Sequence, residues 1–210
     1  MNHRMHNLIP SLVSSFTNQD AKIVKEEVCF KGFFKITKLS FRHRLFEGGW
    51  SSELSRERFD RGPAVGVLLF DSNRNEVVLI EQFRVGALNE PSPWIFEVVA
   101  GMIELGEKPE DVAIRETQEE TGTRISKLTH ICDYLVSPGG ADEKMYLYMA
   151  RVNSEGINGC HGLPEEGEDI KVHKIPAEDA FEAVRRGIIN NAATVIALQW
   201  LEIQQLKGIL

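Results

Sequence analysis

The chain has 210 residues, 42% hydrophobic and 26% charged, which suits one domain with a sizeable core and excludes wholesale disorder or low complexity. Asp and Glu number 31 against 24 Lys and Arg, and the net charge of -7 argues against a general nucleic-acid binder, which needs cations in excess. An anionic small molecule stays open as a partner if a metal or a local Arg cluster supplies the attraction. Cys29, Cys132 and Cys160 are odd in number, widely spaced and without a CxxC pair, as expected of reduced thiols in a cytoplasmic protein. No apolar run approaches the roughly 20 residues of a membrane span, so no membrane partner is expected. Pro10 and the serines break the weak apolar patch near the N-terminus, so no signal peptide is expected there either.

Residues 1–20 read as a flexible arm. Over 21–61 the pieces AKIVKEEVCF, KGFFKITKLSFRHRLF and SSELSRERFDR read as strands of a small N-terminal β domain, and Gly62-Pro63 punctuates its end. The body over 62–210 begins with PAVGVLLF, a polar turn DSNRN and EVVLIEQFR, together a β-hairpin. WIFEVVAGM reads as one further strand. Pro109 to Thr121 predicts a helix, with Pro109 in its first turn and Gly122 as its stop. Strands are expected at 125–136, 145–152 and 169–175, then helices at 176–186 and 191–206. Interspersed strands and helices make the class α+β, or α/β with a mixed sheet.

The chemistry concentrates in GMIELGEKPEDVAIRETQEETGT, residues 101–123. At 100° per residue, Glu116, Glu119 and Glu120 share one helix face with Val112, Ala113 and Thr117, while Asp111, Gln118 and Thr121 fall on the outward arc. Carboxylates within an inward stripe are costly unless something offsets their repulsion. One reading is a solvated acidic face with an imperfect apolar stripe. The other is a set of hard oxygen ligands for Mg²⁺, with Mn²⁺ as a substitute.

The spacing decides between them. Gly101, Glu107, Arg115, Glu116, Glu119, Glu120 and Gly122 fit G-x5-E-x7-R-E-U-x-E-E-x-G-U, where U is bulky and aliphatic. This resembles the signature box of the Nudix hydrolases, which cleave nucleoside diphosphates linked to another moiety. Both U positions are Thr here, Thr117 and Thr123, a departure that bears on packing more than on metal binding. Gly101 is expected to permit a tight exit from the strand, and Glu107 to brace the loop against Arg115. Pro138, fifteen residues beyond the box, and the strings GFF, FRHRLF, VVLIEQFR, VVAGMIE and NAATVIALQWL resemble the ADP-ribose pyrophosphatase branch of the family.

That resemblance implies a mixed-sheet α/β/α sandwich, preceded by an N-terminal β domain exchanged across a homodimer. It implies Mg²⁺ held by Glu116, Glu120, Glu168 and the carbonyl of Ala100, with Glu119 beside them. Arg56, Glu57, Arg61 and Arg84 fall on substrate positions, where a planar guanidinium suits phosphate oxygens. Phe33 and Phe34 match a stretch that reaches the partner subunit's substrate, and Met102, Ser137, Pro138, Gly139 and Glu143 match further contacts. In GLPEEGEDIKV, residues 162–172, Glu166 matches the general base, with Glu165 as the neighbouring alternative. His43, His161 and His173 lack ligand spacing and are read as non-catalytic. The implied activity is hydrolysis of ADP-ribose to AMP and ribose 5-phosphate. Another nucleoside diphosphate sugar, such as GDP-mannose, and a non-catalytic nucleotide sensor are the alternatives.

Overall fold

In a computed structural model of the chain, Ile9 and residues 12–210 are described, for Glu166 the backbone only. Half of the expected arm therefore lies outside the described residues. Its end is a 3-10 turn, Asn18–Asp20, capped by Thr17 through a reciprocal bond with Asp20. The chain divides into two units, Met1–Arg61 with Gly139–Ala141, and Gly62–Pro138 with Asp142–Leu210.

In the first unit, β1 (Ala21–Lys31), β2 (Lys35–His43) and β3 (Leu54–Asp60) form an antiparallel sheet in that order. β1 is exposed along its whole length, Ile23, Val28 and Phe30 included. Asp60 anchors the β2–β3 pair. Burial raises its pKa, but bonds from Arg58, Lys35 and Thr37 outweigh that and hold the carboxyl below the usual range. Gly139–Ala141 joins this unit because the Phe59 N–H donates to the Gly140 carbonyl.

The second unit is built on β4 (Ala64–Asp71) and β5 (Glu76–Phe83), the expected hairpin. Every residue of β4 is buried, as a central strand covered on both faces requires. Alternation splits the two strands between two cores. Val65, Val67, Leu69, Val78 and Ile80 pack with Val112 and Ala113 of α1 (Pro109–Thr121). Leu68, Phe70, Val77 and Leu79 pack with Ala180 and Phe181 of α2 (Ala177–Arg185) and with Leu198 and Leu201 of α3 (Ala192–Leu206). The layers are therefore α/β/α. The sheet adds β6 (Trp94–Glu97), β7 (Val99–Met102), β8 (Thr129–Leu135), β9 (Lys144–Arg151), β10 (Cys160–His161) and β11 (Ile170–Pro176). Its order is β10-β11-β5-β4-β9-β8, with β6 beside β5 and β7 beside β4. Only the β4–β9 pair is parallel, so the sheet is mixed.

Three expectations change. WIFEVVAGM is two strands, because at Val98 the chain leaves β5 for β4. There the Val98 N–H donates to the Thr194 hydroxyl (2.9 Å), and Asn191 Nδ2 donates to the Phe96 carbonyl (2.6 Å), so the start of α3 satisfies the break. β8 begins at Thr129 and not at 125. Thr121, expected to face outward, is buried, with its hydroxyl on the Thr117 carbonyl (2.6 Å).

Candidate active site

β7 and α1 bring the box together. Pro109 opens α1, and Gly122 closes it in the left-handed region at φ 68° with its N–H on Gln118. Thr117 fills an apolar position by donating its hydroxyl to the Ala113 carbonyl at 2.7 Å, so no polar atom is stranded there. The inward face then carries Glu120, which is 2% exposed and accepts the Ala100 N–H at 3.0 Å. Burial pushes the Glu120 pKa up, the Ala100 bond opposes this, repulsion from Glu116 and Glu168 adds to it, and Arg84 lowers it. The Glu116 carboxyl is pushed up to about 7, first by burial, with Arg115 opposing and Glu119 and Glu168 adding repulsion.

Gly101 has a purpose different from the expected one. It lies inside β7 with no positive φ, and a Cβ there would stand 2.1 Å from the Glu116 carboxyl. The glycine leaves room for the carboxylate. Arg115 also does more than brace the loop. It lies 3.8 Å from Glu107 but 2.9 Å from Glu116 and 3.1 Å from Glu119. Glu107 in turn caps the loop by accepting the Glu104 N–H at 2.8 Å.

Glu168 precedes β11 and accepts the Leu163 N–H at 3.0 Å. Gly162, at φ 100°, packs so closely that a Cβ would fall 2.7 Å from that of Glu168. Arg84 follows β5 and holds Glu97 at 2.7 Å. Sequence reasoning missed Glu97, although an acidic residue inside the apolar run WIFEVV was a signal. The side chain of Glu166 lies outside the described residues, while its backbone forms a short 3-10 turn, Pro164–Glu166. Met102 is exposed at the end of β7, Ser137 and Pro138 lie in the exposed loop after β8, and the half-buried Glu143 accepts the Val136 N–H on its backbone carbonyl.

The first unit places the other candidates. The Phe34 ring lies between Phe33 and Phe59, with Arg61 over its face at 4.8 Å, while Phe33 is 89% exposed and so is not core. Arg56 and Glu57, consecutive in β3, face opposite sides of the sheet. Gly139 belongs to this unit as well.

Among the described residues, no group of three or more His, Cys, Asp or Glu converges so as to hold a metal ion. Protein partners hold the carboxylates instead: Arg115 draws Glu116 and Glu119, Ala100 holds Glu120, and Leu163 holds Glu168. The donor set nevertheless fits a hard divalent cation. It is all oxygen, from carboxylates and the Ala100 carbonyl, and Glu116 and Glu120 are pushed toward neutrality by burial and by repulsion from neighbouring carboxylates that such a cation would relieve. No helix among the described residues is long and apolar enough to cross a membrane.

A mixed sheet between helix layers, with an acidic helix packed under a glycine-bearing strand, defines a Nudix fold. The NUDIX domain family matches residues 60–199, and the chain belongs to that family. Nudix hydrolases generally use divalent metal ions. The chain is similar to an ADP-ribose pyrophosphatase of Haemophilus influenzae, 43% identical over 197 residues that span 92% of this chain and 91% of that protein. It is 45% identical to an ADP-ribose pyrophosphatase of Escherichia coli strain K12 over 201 residues, 94% of this chain and 96% of the other. Among solved structures, one described as an ADP compounds hydrolase shares the fold with a TM-score of 0.69 at 21% identity, covering 93% of this chain and all of that one.

Proposed function

We propose that the chain is a Mg²⁺-dependent hydrolase that splits the diphosphate of ADP-ribose into AMP and ribose 5-phosphate. The observation that carries this reading is its likeness, over more than nine-tenths of its length, to ADP-ribose pyrophosphatases. The intact box and the buried carboxylates support catalysis over a sensor, since unliganded buried acids are costly to retain without use.

Glu116, Glu120, Glu168 and the Ala100 carbonyl would hold the metal, with Glu119 beside them. Bound there, Mg²⁺ supplies charge neutralisation of the diphosphate and a more acidic water. Arg84, fixed by Glu97, holds a diphosphate oxygen through its remaining guanidinium donors. Glu166 accepts the proton of the attacking water as the P–O bond to the leaving phosphate breaks. Arg115, paired with both Glu116 and Glu119, offsets the repulsion between these two carboxylates.

In this reading Met102, Ser137, Pro138, Gly139 and Glu143 are substrate-binding residues, as are Arg56, Glu57 and Arg61. Residues 21–61 act as the dimerisation domain of a homodimer, and the second copy's Phe33 and Phe34 stack on the adenine. The exposed apolar residues of β1 and the 89% exposed Phe33 ring support an interface on this unit. The same reading puts the enzyme in the cytoplasm, in keeping with its free cysteines. Incubation with ADP-ribose and Mg²⁺, followed by chromatography, tests the activity. AMP and ribose 5-phosphate in equal amounts are expected, and intact ADP-ribose would refute it.

A further inference from the structure

Gln82 is a polar residue at an inward position of an apolar strand. Alternation along β5 sends Val78 and Ile80 to the α1 side of the sheet, and the same period carries Gln82 and then Arg84 to that side. Pairing with β6 sets Ile95 opposite Gln82 and Glu97 opposite Ile80, and Glu97 is the residue that binds Arg84. The charge of Arg84 in turn reaches Glu120. Gln82 thus sits on the floor of the site, between the α1-side core and the Arg84–Glu97 pair.

Gln82 is 5% exposed. Among the described residues, its Nε2 is the buried side-chain nitrogen or oxygen that has no hydrogen-bond partner. A buried donor left unpaired is destabilising, and a methionine would fill the same space without that cost. Glu97, opposite Ile80 and so on the same face of the sheet, receives Arg84, and Glu120 receives the Ala100 N–H, while neither accepts from Gln82. An acceptor from outside the chain would complete the bonding of this amide. A neutral amide also suits this floor better than a second cation, which would pair with the carboxylates and compete with the metal.

We propose that Gln82 is a substrate-binding residue whose Nε2 donates to a non-bridging oxygen of the nucleoside diphosphate held by Arg84. The inference rests on the activity proposed above for the identity of that ligand. The bond forms with the ground state and the transition state alike, so it acts on affinity and not on the chemical step.

The test is Gln82→Met, with calorimetry of the non-hydrolysable α,β-methylene ADP-ribose in Mg²⁺, melting of the free chain, and steady-state kinetics. Affinity for the analogue should fall about tenfold and KM rise to match, as for one hydrogen bond to a charged group. The kcat should stay within threefold, and the free variant should melt no lower than wild type. Gln82→Asn, whose amide falls one methylene short, should behave like the Met variant. Wild-type affinity in Gln82→Met overturns the proposal. So does a Gln82→Met chain that melts several degrees lower or fails to fold, because the amide then serves the fold. If the wild type binds the analogue more tightly than the variant yet leaves ADP-ribose intact, the activity reading fails and Gln82 stands. If the wild type does not bind the analogue, both fall.

Discussion

An alanine at position 101 would set its Cβ 2.1 Å from both Cδ and Oε1 of Glu116 and 2.3 Å from its Cγ. Ordinary contact needs about 3.4 Å, so the carboxyl group has to retreat by more than an ångström. What yields is the end of a flexible side chain, and the backbone of β7 already has angles that alanine accepts. The fold should therefore survive. Glu116 would even gain hydration, relieving the burial that now pushes its pKa up to about 7. Activity should not survive, because a displacement of about 1 Å in a reacting assembly costs roughly 10²-fold. Gly101→Ala should keep a melting temperature within about 3 °C of wild type, while Mg²⁺-dependent turnover drops about a hundredfold and half-saturation needs more metal. Melting by circular dichroism and turnover over a Mg²⁺ series measure both. Turnover within threefold of wild type at unchanged metal demand would refute the assignment of Glu116 and of the glycine's purpose together.

The other predictions concern the base, the turn and the dimer. Glu166→Gln should lower kcat by roughly 10²–10⁴-fold with little change in KM, whereas Glu168→Gln should raise the metal concentration for half-maximal rate; full kcat in Glu166→Gln with loss in Glu165→Gln would move the base by one residue. Asp71→Asn should cost about 2 kcal/mol, or roughly 4–8 °C in Tm, because the 1% exposed carboxylate accepts N–H bonds from Asn73 and Arg74 at the hairpin turn and from Ser154. The Ser154 N–H bond leads in holding its pKa down, against burial, so its contribution is complete above the unfolded value of about 4 and is lost as pH falls through the folded one; chemical melts from pH 7 to pH 3 should show the gap to the variant closing. Light scattering should give twice the chain mass of 23.7 kDa, and a fully active monomer would contradict the dimer.

Local signals were legible where local physics decides the outcome. Pro109, the three glutamates and Gly122 marked α1 because capping and period act within a few residues. The hairpin of β4 and β5 was legible for the same reason. The break at Val98 was not, since its N–H is satisfied by Thr194, 96 residues away, and no local pattern encodes that partner. Thr121 looked outward on an isolated helix and is buried because its hydroxyl turns back onto Thr117 as the chain packs over the helix end. Within the site, the gathering of Glu116, Glu119 and Glu120 on one helix was readable from spacing, but the reason for Gly101 needed the position of Glu116 in space. Gln82 carried a readable sign, a polar residue in step with Val78 and Ile80, whose meaning depends on the pairing of β5 with β6.

The central claim, that this Nudix fold serves ADP-ribose, is tested most directly by kcat/KM for ADP-ribose, GDP-mannose and other nucleoside diphosphate sugars at fixed Mg²⁺. ADP-ribose should lead the panel by at least about tenfold, a margin worth about 1.4 kcal/mol of transition-state binding. A higher value for GDP-mannose, or equal values across the panel, would contradict the account.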